Sequence, residues 1–346
     1  MKFGLFSHVP WPEDTAPSQV VDNITEEFCV GEQLGFDSGW VAEHHFSRYG
    51  LGSASLMLLA NIAARTKALR LGTAVIIPPL HHPVRLAEDT ATLDLLSGGR
   101  LDAGFGRGTA GYEYTGYSVD SDESQTRFQE SIRIIEGLWT TPNFTFKGQH
   151  FQVENTNLVP PPVQKPHPPM YIAATRSRET QDFAAASGHS GIMGVVLDTT
   201  DALDLCNRLV VDSRKAGKEM EIGGIPFFRY FYVGETEEQA RRDSEAALNW
   251  TMDVNQWRRT YKNGSEVYDS LEEFRKNRTE YPPSFEYLFE HRAFIGNPDQ
   301  IIAKIRALQD AGIGYFGCNF SFGGMPQDKV LKSMELFARE IMPEFA

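Results

Sequence analysis

Three ionisable side chains stand in a row at Glu43-His44-His45, followed by Phe46. Imidazole titrates near neutrality, so a histidine in a cleft can move a proton at pH 7. A carboxylate with two histidines is also a metal-ligand set. The run closes a strand-like segment, Ser38–Ala42, and neighbouring strand residues face opposite ways. His44 and His45 then cannot both enter one cavity, whereas a metal needs ligands converging from one side. One catalytic histidine with its neighbour packed outside is the favoured use. A pair of structural histidines, or a metal, are the alternatives.

A second group is Gly104-Phe105-Gly106-Arg107-Gly108-Thr109. Glycines let the backbone approach a ligand closely, and a guanidinium offers a planar fork of donors to phosphate. The same residues also read as a turn after a strand with an exposed arginine. Thr175-Arg176-Ser177 follows Ala173-Ala174 just before a helix-like segment, and helix N-termini attract anions through free N–H groups. Two donor clusters in a chain of net charge −13 favour a phosphate-bearing cofactor more than either alone. His8 ends the first apolar segment. His81-His82 precede Pro83 and read as a loop and helix start.

The elements that would position these groups alternate along the chain. Strands are predicted at Lys2–Phe6, Ser38–Ala42, Leu69–Ile77, Arg100–Phe105, Met170–Ala174, Gly191–Val195, Ile225–Val233 and Tyr315–Phe320. Helices are predicted at Gln19–Leu34, Ser53–Thr66, Pro83–Leu96, Ser124–Trp139, Arg178–Ser187, Thr200–Ala216, Glu235–Met252 and Gln327–Glu340. Strands alternating with helices imply a parallel sheet, and about eight such units imply an α/β fold of the (β/α)₈ TIM-barrel type with insertions. The expected organisation is one domain over residues 1–346. A doubly wound open sheet is the alternative, weakened because no GxGxxG follows the first strand. In such a barrel the C-terminal ends of the strands carry the chemistry, and all the groups above fall there. The insertions are a small hairpin at Asn143–Val153, a Pro-rich loop at Val159–Pro169, and a long polar, aromatic connection, Tyr261–Arg292. The last is expected to be a mobile lid.

Composition limits the partners. The acidic balance argues against nucleic acid, which needs a basic face. No run of 18 apolar residues occurs, so no membrane span is expected. Cys29, Cys206 and Cys318 are scattered without a CxxC pair, as in reduced cytosolic proteins. The first residues form a strand rather than a signal segment, and the cytoplasm is the expected location.

At these same residues the chain resembles the bacterial luciferase-like flavin-dependent monooxygenases, closest to the luciferase α-subunit. The resemblance runs through Lys2-Phe3-Gly4, Gly35-Phe36-Asp37, Glu43-His44-His45-Phe46, Gly72-Thr73-Ala74, His82-Pro83-Val84-Arg85, Glu88-Asp89, Gly99-Arg100 and Arg107-Gly108. It continues at Gly296-Asn297-Pro298 and Ser333-Met334-Glu335-Leu336-Phe337. It implies a two-component enzyme. Reduced FMN comes from a separate flavin reductase and reacts with O₂ at C4a. The flavin peroxide then oxidises a small organic substrate, an aldehyde among the candidates.

Carried over by position, His44 is the catalytic histidine and Glu43 a flavin-site carboxylate. Ala74–Val75 is a cis peptide under the flavin ring, and Arg107, Thr175 and Arg176 lie at the phosphate. A second phosphate arginine falls near Gln125–Arg127, where Arg127 is the choice. Gly106, Thr109, Ala173, Gly194 and Val195 are expected along the flavin, and His8, His45 and Phe46 on the substrate side. No metal is expected. The family's reactive cysteine is Gly106 here, and a Ser-Trp pair is Gly194-Val195. A glycine beside the flavin implies a larger, less reactive pocket, so efficient light emission from a long-chain aldehyde is not expected. The resemblance also implies a dimer, with a second copy or a related chain. Two other functions are carried as alternatives: a deazaflavin (F420)-dependent hydride-transfer enzyme, and a non-catalytic partner subunit.

Overall fold

The computed structural model describes residues 1–345. Its first half runs β1 (Lys2–Ser7), α1 (Pro17–Leu34), β2 (Ser38–Val41), α2 (Ser55–Ala63), β3 (Arg70–Thr73), α3 (Pro83–Leu96), β4 (Leu101–Gly106), α4 (Gly111–Gly116), α5 (Ser124–Thr140) and the hairpin β5 (Phe144–Lys147) and β6 (Gln152–Thr156). It continues β7 (Met170–Ala173), α6 (Arg178–Ser187), β8 (Ser190–Ile192), α7 (Thr199–Lys215), β9 (Phe227–Val233), α8 (Glu237–Trp257), α9 (Leu271–Asn277), α10 (Phe285–His291), β10 (Phe294–Gly296), α11 (Pro298–Asp310), β11 (Tyr315–Asn319) and α12 (Gln327–Glu340).

Nine strands form one sheet in the order β10-β9-β11-β1-β2-β3-β4-β7-β8, and every pair in it is parallel. The sheet curls. Just past β8, Met193 bridges Phe227 at the start of β9, with Met193 N–H donating to the Pro226 carbonyl and Phe228 N–H to the Met193 carbonyl, both at 2.8 Å. The helices pack in sequence on the outside: α1 on α2, α2 on α3, α3 on α5, α5 on α6, α6 on α7, and α12 on α1. The result is an α/β fold with a curled parallel sheet.

The inside of the curl is filled by aromatic rings. Trp40 on β2 meets Tyr171 of β7 at 5.2 Å and Phe228 of β9 at 5.7 Å between ring centroids. Glycine makes the space for these rings. A Cβ at Gly72 would lie 2.1 Å from the Trp40 ring, and one at Gly317 1.9 Å from the Phe228 ring. Beyond this packed floor a cavity opens where the strands finish.

Local signals explain most boundaries. Pro83 opens α3, where the missing N–H costs nothing. Gly35, at φ 90°, closes α1 in the left-handed region. β3 stops at Thr73 rather than Ile77, and Ile76 pairs again with Phe105 as a single bridge. The intervening Ala74–Val75 peptide is cis. Five elements lie outside the sequence reading, α4, α9, α10, β10 and α11. The last had legible signals: Asn297 and Gln300 form a capping box, Pro298 opens the helix, and Ile301, Ile305 and Leu308 share its buried face.

The connection 261–292 holds two short helices, α9 and α10, and is tied to the body. Glu266 is buried, and its carboxylate accepts from Ser47 Oγ at 2.5 Å and from the Arg48 N–H at 2.9 Å. Asp253 of α8 accepts from Arg275 and Arg278, and Trp257 stacks on Phe274.

Candidate active site

A cavity of about 180 Å³ opens beyond the C-terminal ends of β1, β2, β4 and β7. Those strands deliver His8, Glu43, His44, Gly106, Arg107, Thr109, Ala173, Thr175 and Arg176 to its wall, together with Ala74 and Val75 of the cis peptide. Ser177 and Thr180 complete it from α6, whose N-cap is Ser177. This is the donor-rich rim expected from the two separate clusters.

His44 is oriented by a residue that sequence reasoning missed. Its Nδ1 lies 3.4 Å from Glu113 Oε1 on α4. Glu113 Oε1 also accepts the His45 backbone N–H at 3.1 Å and lies 3.9 Å from Arg258 Nη1. Burial raises the Glu113 carboxyl, but the His44 hydrogen bond, the His44 and Arg258 charges and the His45 N–H outweigh it and hold it below its ordinary value. His44 is pulled down, first by burial and then by Arg258, against the opposing pull of Glu113. A neutral His44 that donates from Nδ1 to the carboxylate keeps its Nε2 lone pair as an acceptor. Base and orienting carboxylate thus form the pairing that proton transfer needs.

His8 stands behind His44, ring centroids 5.8 Å apart. Both its nitrogens are engaged, Nδ1 with Asn319 at 3.2 Å and Nε2 with Tyr49 at 3.3 Å. Burial lowers its pKa well below the ordinary value, with His44 and Arg258 adding to the effect. Arg258 stacks on the Tyr49 ring at 4.0 Å and donates to Tyr112 Oη at 3.1 Å. A fully packed arginine is held in place by such contacts. Neither Glu113 nor Arg258 belongs to a recognisable motif. The only available signal was the position of Glu113 in the turn of helix that follows the Gly104–Thr109 rim.

His45 goes elsewhere. Its Nε2 meets Glu43 Oε1 at 2.8 Å and its Nδ1 meets Tyr117 Oη at 3.1 Å. The strand ends at Val41, so the alternation argument does not extend to this run, although His44 and His45 do part. Phe46 sits at φ 54° and packs against His45 and Tyr117, away from the cavity. His81, read as a helix-start residue, also reaches Glu43 Oε1, at 2.8 Å. Glu43, His45 and His81 bring ligand-type atoms within 4.8 Å of one another. The converging pair is therefore His45 with His81, rather than His44 with His45. Burial raises Glu43, yet its hydrogen bonds with His45 and His81 outweigh this and keep it anionic.

At the phosphate-type end, Arg107 Nη1 donates to Ser124 Oγ at 3.1 Å. Arg127 is turned away, donating to Glu123 at 2.8 Å. Position 125 is the one that faces the rim. Gln125 Oε1 accepts from Thr180 Oγ1 at 2.8 Å, and its buried Nε2 has no hydrogen-bond partner among the described residues. A buried donor without a partner is costly, and this one lies behind Thr180 of the rim.

Gly106 corrects the expectation of a larger pocket. A Cβ there would lie 2.5 Å from Val75 Cγ2 and 3.4 Å from Ala173 Cβ. Val75 fills the space that a cysteine would use. A Cβ at Gly194 would meet nothing within 4 Å, but Gly194, expected along the flavin, lines neither this cavity nor the larger one beside it. Gly194 also gives its carbonyl to Arg229 Nη1 at 3.1 Å. Val195 borders a second cavity of about 690 Å³, which shares Arg176 with the first and is roofed by α8, α9 and residues 278–283.

The model of the luciferase-like monooxygenase family matches residues 1–314. The oxygenase component of the flavin-dependent trigonelline monooxygenase of Acinetobacter baylyi is 27% identical, over 100% of this chain and 96% of that one. The alkanal monooxygenase alpha chain of Photorhabdus luminescens is 25% identical, over 99% and 96%. Among solved structures, a monooxygenase from Streptomyces bottropensis superposes with a TM-score of 0.85 at 25% identity, covering 100% of both chains.

Proposed function

The chain belongs to the luciferase-like monooxygenase family and is a flavin-dependent monooxygenase, and from that premise we propose that it uses reduced FMN delivered by a separate flavin reductase. The observation that carries the cofactor is the rim of Arg107, Thr175, Arg176, Ser177 and Thr180 around one small cavity, backed by the unpartnered Gln125 donor. Two guanidinium groups, three hydroxyls and the N-terminus of α6 suit a single phosphate monoester. Ala74, Val75, Gly106 and Ala173 would hold the flavin ring on an apolar bed.

Bound reduced flavin supplies the activation of O₂. The chain supplies position, dryness and one proton carrier. His44 Nε2 accepts a proton from the substrate side, or returns one, while Glu113 fixes the ring and stabilises the cation that forms. Arg258 holds Glu113 anionic. His8, locked between Asn319 and Tyr49, limits where the His44 ring can turn. The connection 261–292 covers the larger cavity as a lid that keeps water away.

In this reading the eight β-then-α units close into a (β/α)₈ barrel forming one domain, with β10 as an extra strand. The Met193–Phe227 bridge supports closure. The co-substrates are O₂ and a small organic molecule, aldehydes included. The cytoplasm is the proposed location, since no helix among the described residues is long and apolar enough to cross a membrane.

Titration with FMN and with riboflavin, which lacks the phosphate, tests the cofactor. Charge-assisted hydrogen bonds contribute about 1.5–3 kcal/mol each, so FMN should bind at least tenfold tighter than riboflavin. Arg107→Ala should remove most of that difference. Equal affinities for the two, or a preference for the deazaflavin F420, would overturn the assignment.

A further inference from the structure

The larger cavity is bordered by four arginines, Arg176, Arg259, Arg278 and Arg292, against one carboxylate, Glu280. That is a local excess of positive charge in a chain of net charge −13. Two of the four are already neutralised. Arg278 pairs with Asp253, and Arg292 Nε sits 2.6 Å from Asp198. Arg176 and Arg259 have no hydrogen-bond or salt-bridge partner among the described residues. They lie close enough to repel: Arg259 is lowered by burial first and then by the Arg258 and Arg176 charges. Both side chains are nonetheless exposed to solvent, so their donors are free to meet an anion that enters the cavity.

The remaining wall has the character of a pocket for an organic body. Tyr230, Met252, Val195 and Val196 line its inner part, Phe274 its outer part. Asn255 and Gln256, at the end of α8, provide neutral polar groups just before Arg259, which lies in the turn that follows the helix. Arg176, which borders both cavities, joins this wall to the smaller cavity that holds His44. An acid seated here would have its charged end at Arg259 and its apolar part directed toward the flavin bed.

We propose that the larger cavity is the substrate pocket and that it selects a small aromatic carboxylate, whose carboxylate is held by Arg259 with Arg176 beside it. The proposal rests on the monooxygenase reading above, but it concerns a binding step that can be measured without turnover. Arg259 is a specificity-determining residue in it. Arg176 is shared with the phosphate rim, so Arg259 is the discriminating position.

The test uses the purified full chain, with benzoate and phenylacetate as probes and benzamide and phenylacetamide as their uncharged partners. Binding is followed by calorimetry, with and without oxidised FMN. At least one acid should bind ten times tighter than its amide, and Arg259→Gln should abolish that ratio while leaving FMN affinity and the thermal melting midpoint unchanged. Arg259→Lys should recover part of it. Failure of both acids to out-bind their amides overturns the proposal. So does an Arg259→Gln variant that keeps the ratio, or one that loses FMN and not the acid, which would assign Arg259 to the cofactor. The monooxygenase reading fails separately, if the wild-type chain does not bind FMN at all.

Discussion

At the scale of single residues, the site is a neutral imidazole held by a carboxylate. The lowered His44 and the anionic Glu113 fix a pH profile. If His44 is the proposed proton carrier, its active form is unprotonated, and kcat/KM should fall as pH drops through a His44 pKa that lies below 6.5. Glu113 raises that pKa, so Glu113→Gln should move the acid limb to lower pH as well as loosen the ring. His44→Ala should keep FMN affinity and lose turnover by about 10²–10⁴-fold, the usual worth of general acid–base catalysis. Stopped-flow and steady-state pH profiles check both, and an unmoved acid limb in Glu113→Gln would break the dyad. Gly106 and Val75 give a second residue-level expectation. Gly106→Cys alone overpacks against Val75 Cγ2 and should cost about 1–3 kcal/mol in denaturant unfolding. Adding Val75→Ala should restore most of it. If Gly106→Cys is neutral by itself, Val75 does not occupy that space. Arg107, Thr175 and His44 were legible because each ends a strand-like segment with a local signal beside it: glycines, a helix start, or a near-neutral imidazole. Glu113 and Arg258 were not, because they act through others and come from a short helix and a helix terminus with no spacing signature. Gln125 was hidden by Arg127 two positions on, whose charge made it the more attractive reading.

Elements came out of the pattern where an apolar period repeats. Arg178–Ser187, Pro83–Leu96 and Gln327–Glu340 run as read. The connection 261–292 did not, since α9 and α10 span only 7 residues each and derive their order from tertiary pins such as Glu266 rather than from periodicity. α1 carries a cost that pattern reading cannot see. Glu27 is fully buried against the sheet, and neither carboxylate oxygen has a hydrogen-bond partner among the described residues. Burial pushes its pKa up from 4.5 to about 8; the Ser321 hydroxyl nearby offsets only part of this and does not reach hydrogen-bond geometry. The unfolded chain releases this proton near 4.5 while the folded chain keeps it to about 8. The unfolded state then binds fewer protons through that window, so stability declines as pH rises, by up to about 1.4 kcal/mol per pH unit from this group. Glu27→Gln should flatten the decline and raise the melting temperature most at the alkaline end. Parallel pH-dependent slopes for variant and wild type would show that Glu27 finds a partner in solution.

For the whole molecule, α2 and α3 leave large apolar side chains exposed at the start of the one and the end of the other, a discontinuous ridge. Met57 on α2 is 75% exposed, and Leu95 and Leu96 at the end of α3 are 52% and 63% exposed. The two helices pack on each other, so these side chains belong to neighbouring elements, and such clusters mark association sites more often than scattered single residues do. The alternation of strands and helices made the architecture readable from the sequence. The resemblance implied a dimer without saying which surface forms it. What the pattern lacks is any statement of which copy covers it. A two-fold dimer places α2 and α3 of one chain on those of its mate, since an isologous interface uses the same patch twice. The chain should therefore sediment as a dimer at micromolar concentration. Met57→Glu combined with Leu96→Glu should shift it to monomer by at least tenfold in dissociation constant, while FMN affinity holds because the flavin rim lies at the strand ends. A wild-type chain that is monomeric alone but dimeric when mixed with a related chain would assign the ridge to a heterodimer. One that stays monomeric in both conditions would remove it from any interface.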